Sequence, residues 1–304
     1  MGIFSKSFNP ATDLPDLSGK VILITGGNAG IGYATVKHLA RRGAKVYMAA
    51  RNESKAKEAI AQLKVDGLGP GNGEVIWIKL DLQDPRNAKK MAEEFMKIEN
   101  RLDVIVTTLS TFSLISPLVL TRDLLPLLKQ TAAEPDSDVR VVVVASDAHK
   151  FIQGRPRFRN LDELNNECKD SWVPSFARYG LSKLTNILFA KELQRRLLSQ
   201  GLEISVISLH PGAVNTFSHK PPLKTFKWLV EILIYPFFVS PDVGGYTSAF
   251  AAASEEVKKD KEKYRGAYLV PVAKLSTGAK LARDDELAKE LWDTVETFLK
   301  EKDI

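Results

Sequence analysis

The stretch TGGNAGIG (25–32) follows the apolar run KVILIT (20–25) and opens a segment with helical periodicity. A continuous apolar run predicts a strand that is buried on both faces of a sheet. Gly26, Gly30 and Gly32 allow a sharp turn and a close approach of the backbone to a ligand, and a helix start directs N–H groups at an anion. Strand, glycine loop and helix together predict a βα unit that binds a pyrophosphate. A tight turn without a ligand is the alternative.

Apolar strands and amphipathic helices alternate along the rest of the chain. This alternation predicts an α/β fold, a Rossmann-like doubly wound parallel sheet in a single domain, with residues 1–17 as a leader and 18–304 as the domain. The predicted strands are 20–25, 45–50, 74–80, 103–106, 139–146, 203–209 and 266–270, and the predicted helices are 31–43, 53–64, 84–97, 175–200 and 241–254.

Composition limits the class of protein. The chain has 304 residues, of which 44% are hydrophobic and 26% charged, as in an ordinary globular protein. A net charge of +6 favours a phosphorylated ligand or an anionic surface but is too diffuse to indicate nucleic acid. The only cysteine, Cys168, excludes an internal disulfide and fits a reducing compartment, so we expect a cytoplasmic protein. The four histidines lack the paired spacing of a metal site, so no metal is predicted.

The ends of the second and third strands bear on the choice of nucleotide. In dinucleotide-binding folds a carboxylate at the end of the second strand accepts a hydrogen bond from the adenosine ribose. This chain has Arg51 there, and a guanidinium suits a 2′-phosphate, so NADP(H) is favoured over NAD(H). An exposed arginine without a ligand is the alternative. Asp81, in LDL (80–82), could accept from the adenine amino group or cap the next helix.

The pentapeptide YGLSK (179–183) places a phenol and an ammonium on one helix face. The segment YATVK (33–37) has the same spacing but lies inside the first helix, where we expect packing and solvation only. Tyr179 opens a long helix after the fifth strand, whose end carries Ser146, and ligands of parallel sheets bind at that edge. Lys183 can favour proton transfer by the phenol, and the serine can donate a hydrogen bond to a substrate oxygen.

These motifs, with HPGAVNT (210–216), resemble the short-chain dehydrogenase/reductase superfamily over roughly residues 18–300. The long spacer between Ser146 and Tyr179 is similar to the retinol-dehydrogenase-like and WW-domain-oxidoreductase-like branch. The resemblance implies hydride transfer between NADP(H) and an alcohol or carbonyl, with Tyr179 as acid/base, Lys183 on the nicotinamide ribose and Ser146 on the carbonyl. It implies these cofactor-binding residues: Thr25, Gly26, Asn28, Gly30, Ile31, Gly32, Arg51, Asp81, Leu82, Tyr179, Lys183, Pro211, Gly212, Val214 and Thr216.

One segment departs from the family pattern. After the fourth strand the family carries Asn-Asn-Ala-Gly and then a catalytic asparagine, whereas this chain has TTLS (107–110), Ser113 and a shorter connection. Three hypotheses follow: an enzyme whose proton relay runs through water and Ser113, a catalytically impaired nucleotide-binding protein, or a sequence that has lost a segment. The presence of Ser146, Tyr179 and Lys183 favours an enzyme.

The segment after the sixth strand, residues 217–241, contains the apolar run FKWLVEILIYPFFV (226–239). It predicts a cover over an apolar alcohol or carbonyl substrate. A helix packed on the core and contact with a membrane surface are the alternatives, since the run is too short to span a bilayer. Nothing in the sequence indicates an oligomeric state.

Overall fold

The computed structural model describes residues 7–108, 115–169, 171–213 and 239–304. These residues form one sheet of eight strands in the order β3-β2-β1-β4-β5-β6-β7-β8, and every neighbouring pair is parallel except β7 with β8. The strands are β1 (Val21–Thr25), β2 (Lys45–Ala50), β3 (Val75–Lys79), β4 (Val104–Thr108), β5 (Val139–Val144), β6 (Ile204–Leu209), β7 (Tyr268–Val270) and β8 (Lys274–Ser276).

The helices connect these strands, and two short 3₁₀ turns, at Asp147–Phe151 and Lys280–Arg283, lie near the ends of β5 and β8. The helices are α1 (Pro10–Asp13), α2 (Gly30–Ala40), α3 (Glu53–Asp66), α4 (Pro85–Ile98), α5 (Ile115–Ala132), α6 (Leu161–Leu164), α7 (Pro174–Ser199), α8 (Pro241–Ala253), α9 (Glu255–Lys259), α10 (Lys261–Tyr264) and α11 (Asp285–Glu301).

Helices cover both faces of the sheet, as its continuous apolar strands require. On one face α2, α3 and α8 enclose a core that includes Leu39, Phe250 and Ile24. On the other face α4, α5, α7 and α11 enclose a second core, which includes Phe95 and Leu23. Successive residues of β1 thus enter opposite cores, as the alternation of side chains along a strand demands. The predicted α/β, doubly wound, single-domain fold is confirmed.

The position of β1 in the sheet determines where a ligand crevice is expected. β1 lies between β2 and β4, so the chain winds outward in opposite directions from the β1–β4 pair. In such sheets ligands bind in the crevice beyond the carboxyl ends of the strands at this switch point. The carboxyl ends of β1, β4, β5 and β6 lie at this edge.

Several parts of the chain differ from expectation. Two long helices, α5 and α11, and the short strand β8 were not among the predicted elements, and Lys274 and Leu275 of β8 are exposed. The leader expected at residues 1–17 contains α1 and buries Leu14 and Leu17, and Phe8 packs edge-on against Phe250. Residues 8–17 therefore pack against the same core as the segment that was expected to begin at residue 18.

Candidate active site

The glycine loop after β1 has a geometry that larger residues would not permit. Gly26 and Gly30 have φ angles of +61° and +54°, which L side chains rarely adopt. A Cβ on Gly26 would also lie 2.6 Å from Oγ1 of Thr108, and a Cβ on Gly32 would collide with the carbonyl oxygen of Gly26. The glycines are therefore required by this turn whether or not a ligand binds.

The start of α2 has the features of an anion site. Ala29 occupies the N-cap position, and within the described part of the chain no side chain caps this end of the helix. The first-turn N–H groups, at the positive end of the helix dipole, are available to a phosphate. Asn28 and Ile31 are half-buried beside them, and Ile31 O accepts a hydrogen bond from Thr35 Oγ1 at 2.8 Å. This loop fits the pyrophosphate of a dinucleotide.

The end of β4 is attached to the glycine loop by its last residue. Thr25 Oγ1 accepts a hydrogen bond from Thr108 N at 2.9 Å and donates to Thr108 O at 3.2 Å. Thr108 Oγ1 in turn donates to Thr25 O. Thr107 Oγ1 donates to Val142 O in the next strand at 3.3 Å. The two threonines that stand where the family carries asparagines thus satisfy backbone groups of the neighbouring strands.

The adenosine side of the crevice contains the remaining nucleotide candidates. Arg51 is exposed directly after β2. Asp81 and Leu82 are half-buried after β3, and Asp81 Oδ1 accepts a hydrogen bond from Gln83 N at 3.0 Å. The carboxylate therefore holds the turn after β3, whereas Asp84 is the residue that caps α4.

Tyr179 and Lys183 lie one turn apart on α7. The Lys183 ammonium is 5.4 Å from the centroid of the Tyr179 ring, and the lysine side chain is only 4% exposed. Burial penalises its charged form and lowers the pKa of Lys183 to about 8. Tyr179 is half-buried.

Two further residues of α7 hold this helix against the end of β5. Asn186 Nδ2 donates to Val144 O at 3.1 Å, and both groups are buried. At Gly180 an added Cβ would lie 2.8 Å from Ala148 O, so a hydrogen at this position permits the close approach of the helix to the 3₁₀ turn. The neighbour of Tyr179 thus contacts the residue two positions after Ser146. Sequence reasoning missed both residues, although Gly180 lies inside the quoted YGLSK.

Ser146 lies at the end of β5 with 8% of its surface exposed. Its Oγ accepts a hydrogen bond from Ala148 N at 3.2 Å, which caps the 3₁₀ turn. Because this bond uses the hydroxyl oxygen as acceptor, the hydroxyl proton remains available to a substrate oxygen. This geometry is compatible with the donor role that the sequence suggested, which stays a prediction.

A second phenol lies close to this serine. Tyr268 donates to Asp147 Oδ1 at 2.8 Å, and Lys150 Nζ lies 2.8 Å from Asp147 Oδ2. Burial raises the pKa of Asp147, but the hydrogen bonds from Lys150 and Tyr268 outweigh it and hold that pKa below its usual value. Burial, the bond to Asp147 and the nearby Tyr179 phenol raise the pKa of Tyr268 far above the ordinary range. Tyr268 is therefore a fixed donor and unsuited to acid/base chemistry.

The segment after β6 reaches the same edge of the sheet. Pro211 is buried, and Gly212 has a φ of +102° with Pro271 and Val239 within 3.3 Å of the place of a Cβ. Three residues named in the sequence analysis fall outside the described part of the chain: Ser113, Val214 and Thr216.

The other tyrosine–lysine pair has different surroundings. Lys37 forms an ion pair with Asp242 of α8, and Tyr33 is half-buried among apolar residues of the α2–α8 face. Burial raises the pKa of Tyr33. This pair belongs to helix packing, and the shared spacing alone does not define a site.

The chain is similar to known proteins over most of its length. A family model described as short chain dehydrogenase matches residues 20–111. A protein of Armillaria gallica named as a short-chain dehydrogenase/reductase is 39% identical over 95% of this chain and 96% of its own length. The chain belongs to the short-chain dehydrogenase/reductase family. It is accordingly an NAD(P)-dependent oxidoreductase that acts on CH–OH groups of small molecules, by hydride transfer from the alcohol or to the corresponding carbonyl.

More distant relatives agree with this assignment. Human retinol dehydrogenase 14 is 34% identical over 93% of this dehydrogenase/reductase and 87% of its own length, which supports the retinol-dehydrogenase-like branch. A crystal structure of an uncharacterized protein from Mycobacterium paratuberculosis superposes with a TM-score of 0.69 at 26% identity, over 97% of this chain and 98% of that one.

Proposed function

We propose that this dehydrogenase/reductase uses NADP(H) to interconvert an apolar alcohol and its carbonyl compound, with Tyr179 as the acid/base. The observation that carries the proposal is the buried Lys183 ammonium, 5.4 Å from the Tyr179 ring, on a helix that touches the serine-bearing turn. A positive charge beside a phenol favours the phenolate form, which a group needs if it is to accept a proton from an alcohol.

The three side chains divide the work of the reaction. When bound, the nicotinamide supplies the hydride in reduction and accepts it in oxidation. In reduction the Tyr179 hydroxyl gives its proton to the carbonyl oxygen, and in oxidation the phenolate takes the proton of the alcohol. The Ser146 hydroxyl donates a hydrogen bond to the same oxygen and stabilises the negative charge that develops there. Lys183 stabilises the phenolate and offers its N–H groups to the cofactor ribose.

The remaining residues hold the nucleotide. The first-turn N–H groups of α2, at Gly30, Ile31 and Gly32, bind the pyrophosphate, and Thr25, Gly26 and Asn28 shape the turn before them. Asp81 and Leu82 bind the adenine, and Pro211, Gly212, Val214 and Thr216 contact the nicotinamide end. Support for this arrangement comes from the uncapped helix start and from the turn geometry that only glycine permits.

Arg51 supports the preference for NADP(H). Its exposed guanidinium follows β2 directly, where a 2′-phosphate would meet a strong donor. In Arg51→Asp we expect the ratio of kcat/KM for NADPH to that for NADH to fall at least about tenfold, since one charge-assisted bond contributes roughly 1.5–3 kcal/mol. Lys64→Asp, at an exposed position of α3, is the control for net charge. An unchanged ratio in Arg51→Asp would refute this role.

Exposed aromatic rings beside the reacting groups support an apolar substrate. Phe151 and Phe176 are 69% and 46% exposed, and their ring centroids are 5.7 Å apart. Phe151 ends the turn that follows Ser146, and Phe176 lies one helical turn before Tyr179. An apolar alcohol held at these side chains would lie about one helical turn from Tyr179.

The central test is NADPH oxidation with a panel of carbonyl compounds. We expect turnover by the wild type and a loss of at least about a hundredfold in Tyr179→Phe, as removal of general acid/base catalysis costs 10²–10⁴. Tyr33→Phe removes the phenol of the equally spaced pair and should retain wild-type rates. Equal rates in wild type and Tyr179→Phe would show that Tyr179 is not the acid/base of the reaction. If the wild type binds NADPH tightly but shows no turnover, the result would favour the hypothesis of a catalytically impaired nucleotide-binding protein.

Contact with a membrane surface, with the protein otherwise in the cytoplasm, is a further proposal. It concerns residues 226–239, of which 226–238 lie outside the described part of the chain. Within the described ranges no helix has both the length and the apolar character needed to span a bilayer. Flotation with liposomes, lost in Trp228→Glu, would support a peripheral contact, and failure of the wild type to float would reject it.

A further inference from the structure

His149 lies in the 3₁₀ turn after Ser146, and none of its surface is exposed. Both ring nitrogens have a partner: Nδ1 is 2.7 Å from Ser146 O, and Nε2 is 3.0 Å from Ala279 N. A backbone N–H can only donate, so Nε2 must be the acceptor. The proton therefore sits on Nδ1, which donates to the Ser146 carbonyl.

The surroundings of the ring hold it in this neutral form. Burial lowers the pKa of His149, although the hydrogen bond to Ser146 O and the charge of Asp147 oppose the shift. Protonation would also place a second N–H against the Ala279 N–H. The ring packs edge-on against Tyr268 at 5.2 Å, and a Cβ on Gly278 would lie 3.2 Å from Nε2. The imidazole is thus fixed in position as well as in tautomer.

This arrangement ties the backbone of Ser146 to a distant part of the chain. The serine Oγ holds Ala148 N, while the serine carbonyl is held by the imidazole, so both ends of the residue are constrained. Without the bond from the imidazole, the carbonyl would keep only the longer bond from His149 N, at 3.3 Å. The peptide after Ser146 could then rotate and move the hydroxyl away from the substrate oxygen. Displacements of about 1 Å at a reacting group can cost roughly a hundredfold in rate.

We propose that His149 is a positioning residue, which aims the Ser146 hydroxyl through the backbone and is itself oriented by the segment around Ala279. The inference rests on the proposed function, because it presumes that Ser146 contacts the substrate. In this role His149 contacts neither substrate nor cofactor and affects turnover only through Ser146.

Two isosteric variants separate the two hydrogen bonds. In His149→Asn the amide nitrogen can take the place of Nδ1 and donate to Ser146 O, but the acceptor for Ala279 N is lost. In His149→Gln the amide oxygen can reach the place of Nε2 and accept from Ala279 N, but the donor to Ser146 is lost. A structural role would lower stability in both, whereas a positioning role separates them in kcat.

The measurements are kcat and KM with NADPH, NADPH affinity by fluorescence titration, and thermal unfolding. We expect kcat to fall about tenfold or more in His149→Gln, with KM and NADPH affinity within about threefold of wild type, and His149→Asn to keep kcat within about threefold. Wild-type kcat in a folded His149→Gln, or an equal loss of kcat in both variants, would overturn the inference. If His149→Gln does not fold, a loss of kcat in a folded His149→Asn overturns it, and retention supports it.

Tyr179→Phe, measured alongside, separates this inference from the proposed function. Wild-type turnover in Tyr179→Phe overturns the proposed function, whatever the histidine variants do. A large loss in Tyr179→Phe with wild-type turnover in His149→Gln overturns the positioning role alone.

Discussion

Thr25 and Thr108 bind each other's backbone through their side chains, and this exchange attaches the end of β4 to the glycine loop. Thr25 Oγ1 bonds both backbone groups of Thr108, at 2.9 and 3.2 Å, and Thr108 Oγ1 donates to the carbonyl that precedes Gly26. The β1–β4 backbone pairing ends earlier, at Ile24 with Val106. The hydroxyl groups therefore extend the connection to the residues that turn toward the nucleotide.

Removal of the hydrogen bonds between the Thr25 side chain and the Thr108 backbone should weaken nucleotide binding. In Thr25→Val the carbonyl and N–H of Thr108 lose their partner, which costs about 1–3 kcal/mol when the groups are buried. We expect the NADPH dissociation constant to rise roughly fivefold or more, measured by fluorescence titration. Thr25→Ser keeps the hydroxyl and serves as the control. Equal affinities in Thr25→Val and wild type would mean that the loop holds its shape without the threonines.

Gly180→Ala tests the approach of α7 to the serine-bearing turn. Helix propensity alone favours alanine by up to about 1 kcal/mol. The added Cβ would lie 2.8 Å from Ala148 O, however, and overpacking of this kind costs roughly 1–3 kcal/mol. We therefore expect a lower melting temperature and a fall of about tenfold in kcat, because Tyr179 moves with the helix.

The control for this substitution is Ser175→Ala, at an exposed position in the first turn of the same helix. It should leave kcat unchanged. A higher melting temperature with full kcat in Gly180→Ala would show that the helix tolerates the methyl group and that the contact does not position Tyr179.

The pH dependence of stability should report the burial of Lys183. Its pKa falls from an ordinary 10.5 in the unfolded chain to about 8 in the folded protein. Between these values the unfolded chain binds more protons, so the stability contributed by this residue rises with pH. We expect the free energy of unfolding of the wild type, relative to Lys183→Met, to increase between about pH 8 and 10.5, by up to about 3 kcal/mol.

Urea unfolding of the cofactor-free protein at several pH values measures this difference, and subtraction of the variant removes the other titrating groups common to both proteins. Lys300→Met, at an exposed position on α11, is the matched control and should show no such rise. A constant difference between wild type and Lys183→Met across the window would contradict the lowered pKa.

Phe176→Ser should affect apolar substrates selectively. The ring is half-exposed one turn before Tyr179 and in contact with Phe151, so its loss removes apolar surface near the reacting group. For long aliphatic aldehydes we expect KM to rise about tenfold, the equivalent of roughly 1.4 kcal/mol of apolar burial, while short aldehydes keep their KM. Val65→Ser, at an exposed position of α3, is the control. A rise in KM that is independent of chain length would argue against an apolar contact.

Local sequence patterns were sufficient for the fold and for part of the site. The continuous apolar strands predicted a sheet covered on both faces, and the elements that were predicted lie close to their observed limits. The helices α5 and α11 were not predicted. The glycine loop and the pair Tyr179 and Lys183 were found because each is a short motif on one element. The three-residue β8 was missed because its Lys274 and Leu275 are exposed and give no apolar run.

The contacts that complete the site join distant parts of the chain, and no local pattern marks them. Thr108 acts on a residue 83 positions earlier, and Ala279 bonds a histidine 130 positions earlier. The need for glycine at position 180 comes from Ala148, which lies against it in the fold. The local sequence does not show this contact. The departure from Asn-Asn-Ala-Gly was visible in the sequence, but the hydrogen bonds of its replacement depend on the neighbouring strands.

The bond from Ala279 to His149 also has a consequence for biosynthesis. The ribosome releases the chain from its N-terminus, and residues 20–210 hold most of the sheet and every side chain proposed to act on the substrate. The imidazole nevertheless gains its second anchor only after residue 279 has emerged. A nascent chain that already binds nucleotide would therefore still hold the Ser146 carbonyl through an imidazole anchored at one nitrogen, and the full set of contacts would form only in the final stage of translation.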